Sequence, residues 1–132
     1  MNADALQSNL FMAWLWIFLG FLSGMIMGLC FHREHWLGGY GSFKRRLYRL
    51  AHISFFGLGL MNLLFYFTAR LAPLPDGAVV DLASGAFVLG AATMPVCCAA
   101  MAHWPKAQAL FAVPVVSLLT GAVCVLKEIV AL

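Results

Sequence analysis

Apolar positions along this chain fall into four long uncharged runs: Leu10 to Phe31, Ala51 to Ala69 with His52 near its start, Leu82 to Ala102, and Ala107 to Leu126. A bilayer core ~30 Å thick takes roughly 20 apolar helical residues to cross. Backbone polar groups in lipid must be satisfied within their own segment, so each run is predicted as a helix. The pattern predicts an all-α integral membrane protein with four transmembrane helices, at about 10–31, 51–69, 79–102 and 107–126. They form a single domain, 1–132, with a basic loop over 32–50.

Composition agrees, since 64% of the 132 residues are apolar and only 10% are charged, a balance that cannot build a water-soluble surface. Helices and short connections use nearly the whole chain. No soluble domain is left for a self-contained catalytic activity, and function is expected in or at the membrane. The first run could be mistaken for a signal peptide, but the first nine residues hold Asp4 and no Lys or Arg, so it is expected to be a retained helix.

Charge then orients the spans. Arg33, Lys44, Arg45, Arg46 and Arg49 lie in the first loop and Lys106 in the third, against Arg70 and Lys127 on the other side. The positive-inside rule puts the loops with six basic residues in the cytoplasm and both termini on the outer, periplasmic side of a bacterial inner membrane. The net charge of +3 is therefore inner-face basicity and no sign of nucleic-acid binding. Pro73-Leu74-Pro75-Asp76-Gly77 and His103-Trp104-Pro105-Lys106 are tight-turn sequences. They predict two antiparallel hairpins, helices two with three and three with four. In the long first loop, Gly38-Gly39-Tyr40-Gly41 is a flexible elbow, and Ser42 is placed to cap a basic turn running from Phe43 to Leu50. Its apolar side is expected to rest on an anionic membrane surface before the chain turns inward.

Small residues mark where helices can approach, because lipid supplies no hydrophobic drive for their association. Gly20, Gly24 and Gly28 form a stripe on helix one, Gly90 belongs to another on helix three, and Gly121 to a third on helix four. These grooves suit packing within a larger assembly. Pro95 and Pro114 interrupt the third and fourth spans, where they are expected to kink the helices. Thr93, Cys97 and Cys98 could line a cavity below Pro95.

All four histidines, His32, His35, His52 and His103, are threaded to the same, basic end. His52 opens helix two, followed by Ser54, Gly57 and Gly59; His103 closes helix three. Across a short hairpin these two imidazoles can face one another as metal ligands, the arrangement that axial ligation of haem b requires, with Arg45, Arg46 or Arg49 pairing the propionates. Without a cofactor, the same residues would serve as interfacial hydrogen-bonding groups. His32 and His35, with Glu34 between them, make only a two-ligand cluster. Cys30, Cys97, Cys98 and Cys124 lack CxxC spacing, which leaves no pattern for thiol oxidation. The helix centres hold no ionisable residue and Asn62 is the one strongly polar group near a mid-span; a proton-coupled transporter needs a buried carboxylate there.

In size and span number the chain is similar to the four-helix haem anchors of respiratory dehydrogenases, a likeness of architecture. The expectation is a small membrane subunit of a hetero-oligomeric complex, an electron-transfer assembly above all, helping to bind haem b or quinone at the cytoplasmic face. The alternatives are a cofactor-free assembly or stabilising protein and a small oligomeric channel or transporter.

Overall fold

The structure is a computed structural model that describes residues 3–72, 74 and 77–132. Pro73, Pro75 and Asp76 of the expected second turn lie outside the described residues. Among the described residues, four helices are long and apolar enough to cross a membrane: α1 Ala3–Cys30, α2 Phe43–Leu71, α3 Ala78–His103 and α4 Ala112–Val130.

Four boundaries differ by more than two residues from the sequence expectation, one of them the end of α4, at Val130 and not near 126. α1 begins a full two turns before Leu10, which brings Asn9 inside the helix. α2 begins at Phe43 and not near 51, because Ser42 caps it by accepting the Arg45 N–H at 3.1 Å; the basic turn runs unbroken into the span. α4 is preceded by a 3₁₀ segment, Pro105–Phe111, longer than the three or four residues usual for that geometry. The carbonyl of Leu110, which Pro114 cannot satisfy, accepts instead from the Cys97 thiol of α3 at 3.4 Å.

The same device operates at the other interior proline. Pro95 has no N–H for the carbonyl of Ala91 four residues earlier, and the indole N–H of Trp16 on α1 donates to that carbonyl at 3.1 Å. Each proline thus opens a backbone acceptor that a neighbouring helix closes.

Neighbouring helices meet through glycines. The outer end of the Phe56 ring of α2 meets Gly20 of α1, where an added Cβ would come within 2.8 Å of it, and His52 lies on Gly24, where the distance would be 2.9 Å. Gly59 of α2 returns the favour against the Ala13 carbonyl and Trp16 of α1. On the other side of the bundle, Gly90 of α3 seats Leu118 of α4, and Gly121 of α4 seats Phe87 of α3. Gly28 has nothing within 4 Å. The small residues Gly20, Gly24, Gly90 and Gly121 are therefore filled by the chain's own side chains.

α3 is the most enclosed helix and α4 the least. An apolar core of Leu6, Phe65, Val80, Ala83 and Phe87 closes the end of the bundle away from the basic loop. Glu128, near the end of α4, is only 8% exposed and borders a small space lined also by Phe65, Val80 and Ala83.

Candidate functional site

At the basic end, α1, α2 and α3 diverge around a cavity of about 290 Å³ whose walls include Ser23, Met27, Trp36, Tyr48, His52 and Phe55. Pro95 and Ala99 of α3 complete it. That volume is near the lower end of small-molecule sites, and the site has their usual character, apolar walls with a few polar groups.

His52 is held from two sides. Its Nδ1 is 2.9 Å from the Ser23 hydroxyl, and that hydroxyl donates its one proton to the Gly20 carbonyl at 3.0 Å. The serine oxygen is then placed to accept from His52 Nδ1–H, and Nε2 lies outside this hydrogen bond. Phe56 packs edge-on against the imidazole at 5.5 Å between centroids, and Gly24 admits the ring by lacking a Cβ.

His103 has different surroundings. It is exposed, and its Nε2 shares a 2.9 Å hydrogen bond with the Tyr48 hydroxyl. Tyr48 stands one turn before His52 on α2, so the two histidines border the same phenol-bearing face but meet different partners. His52 turns to α1; His103 turns to Tyr48. The cavity takes in His52 and Tyr48 and does not include His103.

The three arginines also separate. Arg45 is 4% exposed and sits among the rings of Phe31, Trp36 and Tyr40, at 5.4, 5.4 and 5.1 Å from their centroids. Arg49 lies over the Tyr40 ring at 4.8 Å. Arg46 is exposed. His32 and His35 are exposed in the loop, and no group of three or more His, Cys, Asp or Glu side chains that could hold a metal ion occurs among the described residues. Below Pro95, Thr93 bonds the Leu89 carbonyl of its own helix at 2.7 Å and Cys98 is fully buried; the cavity lies on the Pro95–Ala99 side of α3.

The largest polar feature of the interior lies elsewhere and has no precedent in the sequence pattern beyond Asn62. Asn9 of α1 donates to the Asn62 side-chain oxygen of α2 at 2.8 Å, and to the Ser84 carbonyl of α3 at 3.3 Å. The Ser84 hydroxyl donates to the Asn9 oxygen. Asn62 in turn donates to the carbonyls of Leu58 and Phe87, at 2.9 and 3.4 Å. Asn9 and Asn62 are both fully buried. With its polar atoms mutually satisfied, this cluster ties three helices together and leaves none of them free for a ligand. It is a lock at the end of the bundle opposite the cavity.

Comparison with known protein families, with curated proteins and with solved structures found no match.

Proposed function

We propose that this chain is a small multi-pass subunit packed within a larger membrane complex, an electron-transfer assembly, and that its cavity receives the ring of a quinone at the cytoplasmic face. The observation that carries the proposal is the cavity of about 290 Å³ at the basic end, apolar but for Ser23, Tyr48 and His52. A quinone has the matching chemistry: a flat apolar ring with oxygens at its edge. The His52 imidazole, with Nδ1 engaged by Ser23, has Nε2 for an oxygen at the edge of the ring, and the Tyr48 phenol offers a second polar contact.

Haem b suits these residues less well. Axial ligation by two histidines needs two imidazoles directed at one iron, whereas His103 Nε2 is engaged by Tyr48 and His103 does not border the cavity that His52 lines.

The basic residues of the first and third loops favour a topology with those loops cytoplasmic. Both termini then face outward, the spans form two antiparallel hairpins, and the setting is a bacterial inner membrane. Partner subunits have surface to meet. Phe11, Trp14, Phe18, Phe21 and Met25 of α1, and Val116, Leu119, Val123 and Leu126 of α4, are all strongly exposed.

Purification in mild detergent, followed by identification of copurifying proteins, quinone extraction and a pyridine haemochrome spectrum, tests the proposal. Expected are partner subunits with redox centres and extractable quinone that is lost on His52→Ala. Partners without quinone would favour a cofactor-free stabilising subunit. A chain that purifies alone and conducts ions in liposomes would favour the channel.

A further inference from the structure

The start of α2 concentrates positive charge without visible compensation. Lys44, Arg45 and Arg46 fill its first turn, Arg49 follows one turn on, and no acidic residue stands in that turn. The partial positive charge of the helix N-terminus is added to these cations, where a protein would ordinarily place Asp or Glu. Their charges repel.

Arg45 sharpens the difficulty. Its side chain is 4% exposed, and its Nε has no hydrogen-bond partner. The rings of Phe31, Trp36 and Tyr40 attract the guanidinium but accept none of its N–H groups in the way an anion does. A buried cation is expensive unless it is paired and hydrogen-bonded. Arg49 shares the Tyr40 ring with Arg45, so two guanidinium groups converge on one aromatic residue at the mouth of the loop.

We propose that Arg45 and Arg49, at the N-terminus of α2, form a binding site for one phosphate group, supplied by an anionic phospholipid of the adjoining leaflet. Guanidinium forks match phosphate oxygens in pairs, and helix N-termini favour the same charge. The lipid source follows from what continues below the arginines. Phe43, Leu50, Ile53, Leu60, Leu64 and Phe67 are all exposed along the outward side of α2, an apolar track starting in the same turns as the charges. A headgroup at the arginines places its acyl chains along that track. This site is separate from the cavity, with which it shares only Trp36, and it stands or falls independently of the quinone.

The test uses the full chain, purified and delipidated in detergent, then titrated with phosphatidylglycerol or phosphatidylcholine and read by native mass spectrometry. Expected is one retained phosphatidylglycerol per chain, preferred by about tenfold or more, as the loss of one charge-assisted hydrogen-bond pair implies. Arg49→Gln, at a half-buried position, should abolish most of that preference, and Arg45→Lys, which keeps the charge but not the fork, should reduce it; Lys127→Gln at the far end should leave it unchanged. Equal retention of the two lipids, or full preference in Arg49→Gln, would overturn the site. Inorganic phosphate provides the second arm. If it displaces phosphatidylglycerol at equal concentration, the phosphate site stands but its source is soluble, and the lipid assignment is overturned.

Discussion

Replacing Asn62 with leucine should destabilise the bundle by about 2 kcal/mol, a value that follows from three hydrogen bonds. Asn62 accepts from Asn9 at 2.8 Å and donates to the Leu58 and Phe87 carbonyls at 2.9 and 3.4 Å. The two carbonyls keep their helical donors, so their loss is minor. Asn9 is fully buried and would be left with the Ser84 carbonyl at 3.3 Å as its weaker acceptor. Stranding a buried donor costs about 1–3 kcal/mol, while interhelical hydrogen bonds in membranes contribute about 0.6 kcal/mol on average and about 1.7 at most. Leucine is close in size, so no large cavity term is added. The informative quantity is the coupling in a double-mutant cycle of Asn9→Leu and Asn62→Leu, expected at about 1 kcal/mol. Reversible unfolding by SDS in mixed micelles, followed by near-UV circular dichroism of the four tryptophans, measures it. A coupling within about 0.3 kcal/mol of zero would refute the idea that this cluster locks α1, α2 and α3.

Other consequences follow from the packing. Gly90→Ala should cost about 1–3 kcal/mol by overpacking, since its Cβ would come within 2.6 Å of Leu118, whereas Gly28→Ala, with nothing within 4 Å, should be neutral or slightly stabilising; thermal denaturation in detergent compares the two. Trp16→Phe should cost about 1 kcal/mol in the native background and less in Pro95→Ala, where a restored N–H can serve the Ala91 carbonyl that Trp16 now serves; equal costs in both backgrounds would dissociate the tryptophan from the proline. His52→Ala should lower quinone retention while His103→Ala leaves it unchanged, because only His52 borders the cavity.

Span number was legible because uncharged runs of this length have few other uses. The edges were not. Asn9 interrupts the apolar pattern and so marked a helix start, yet it is buried, since its partners on α2 and α3 are more than fifty residues away in sequence. The Ser42 cap was readable from its position, but the charges after it hid the fact that the capped turn and the span are one helix. Glycine stripes announced close contact without naming what fills them: Gly20 and Gly24 receive Phe56 and His52 of the same chain.

The histidines show the limit most clearly. Threading fixes depth along a helix but not rotation about its axis, and rotation decides what an imidazole meets. Ser23 and Gly24 together draw His52 toward α1, and the Tyr48 phenol takes up His103. The freed carbonyls at Ala91 and Leu110 were predictable from the prolines, but Trp16 and Cys97 as their partners were not; those depend on which helix lies alongside.

Photo-crosslinking with an azido-quinone in native membranes, mapped by peptide mass spectrometry, tests the central claim most directly. The account predicts adducts concentrated on Met27, Trp36, Tyr48 and Phe55 around the cavity, competed by unlabelled quinone and suppressed when Ala99→Phe fills the space. Adducts spread along the exposed faces of α1 and α4, with no competition and no response to Ala99→Phe, would contradict it.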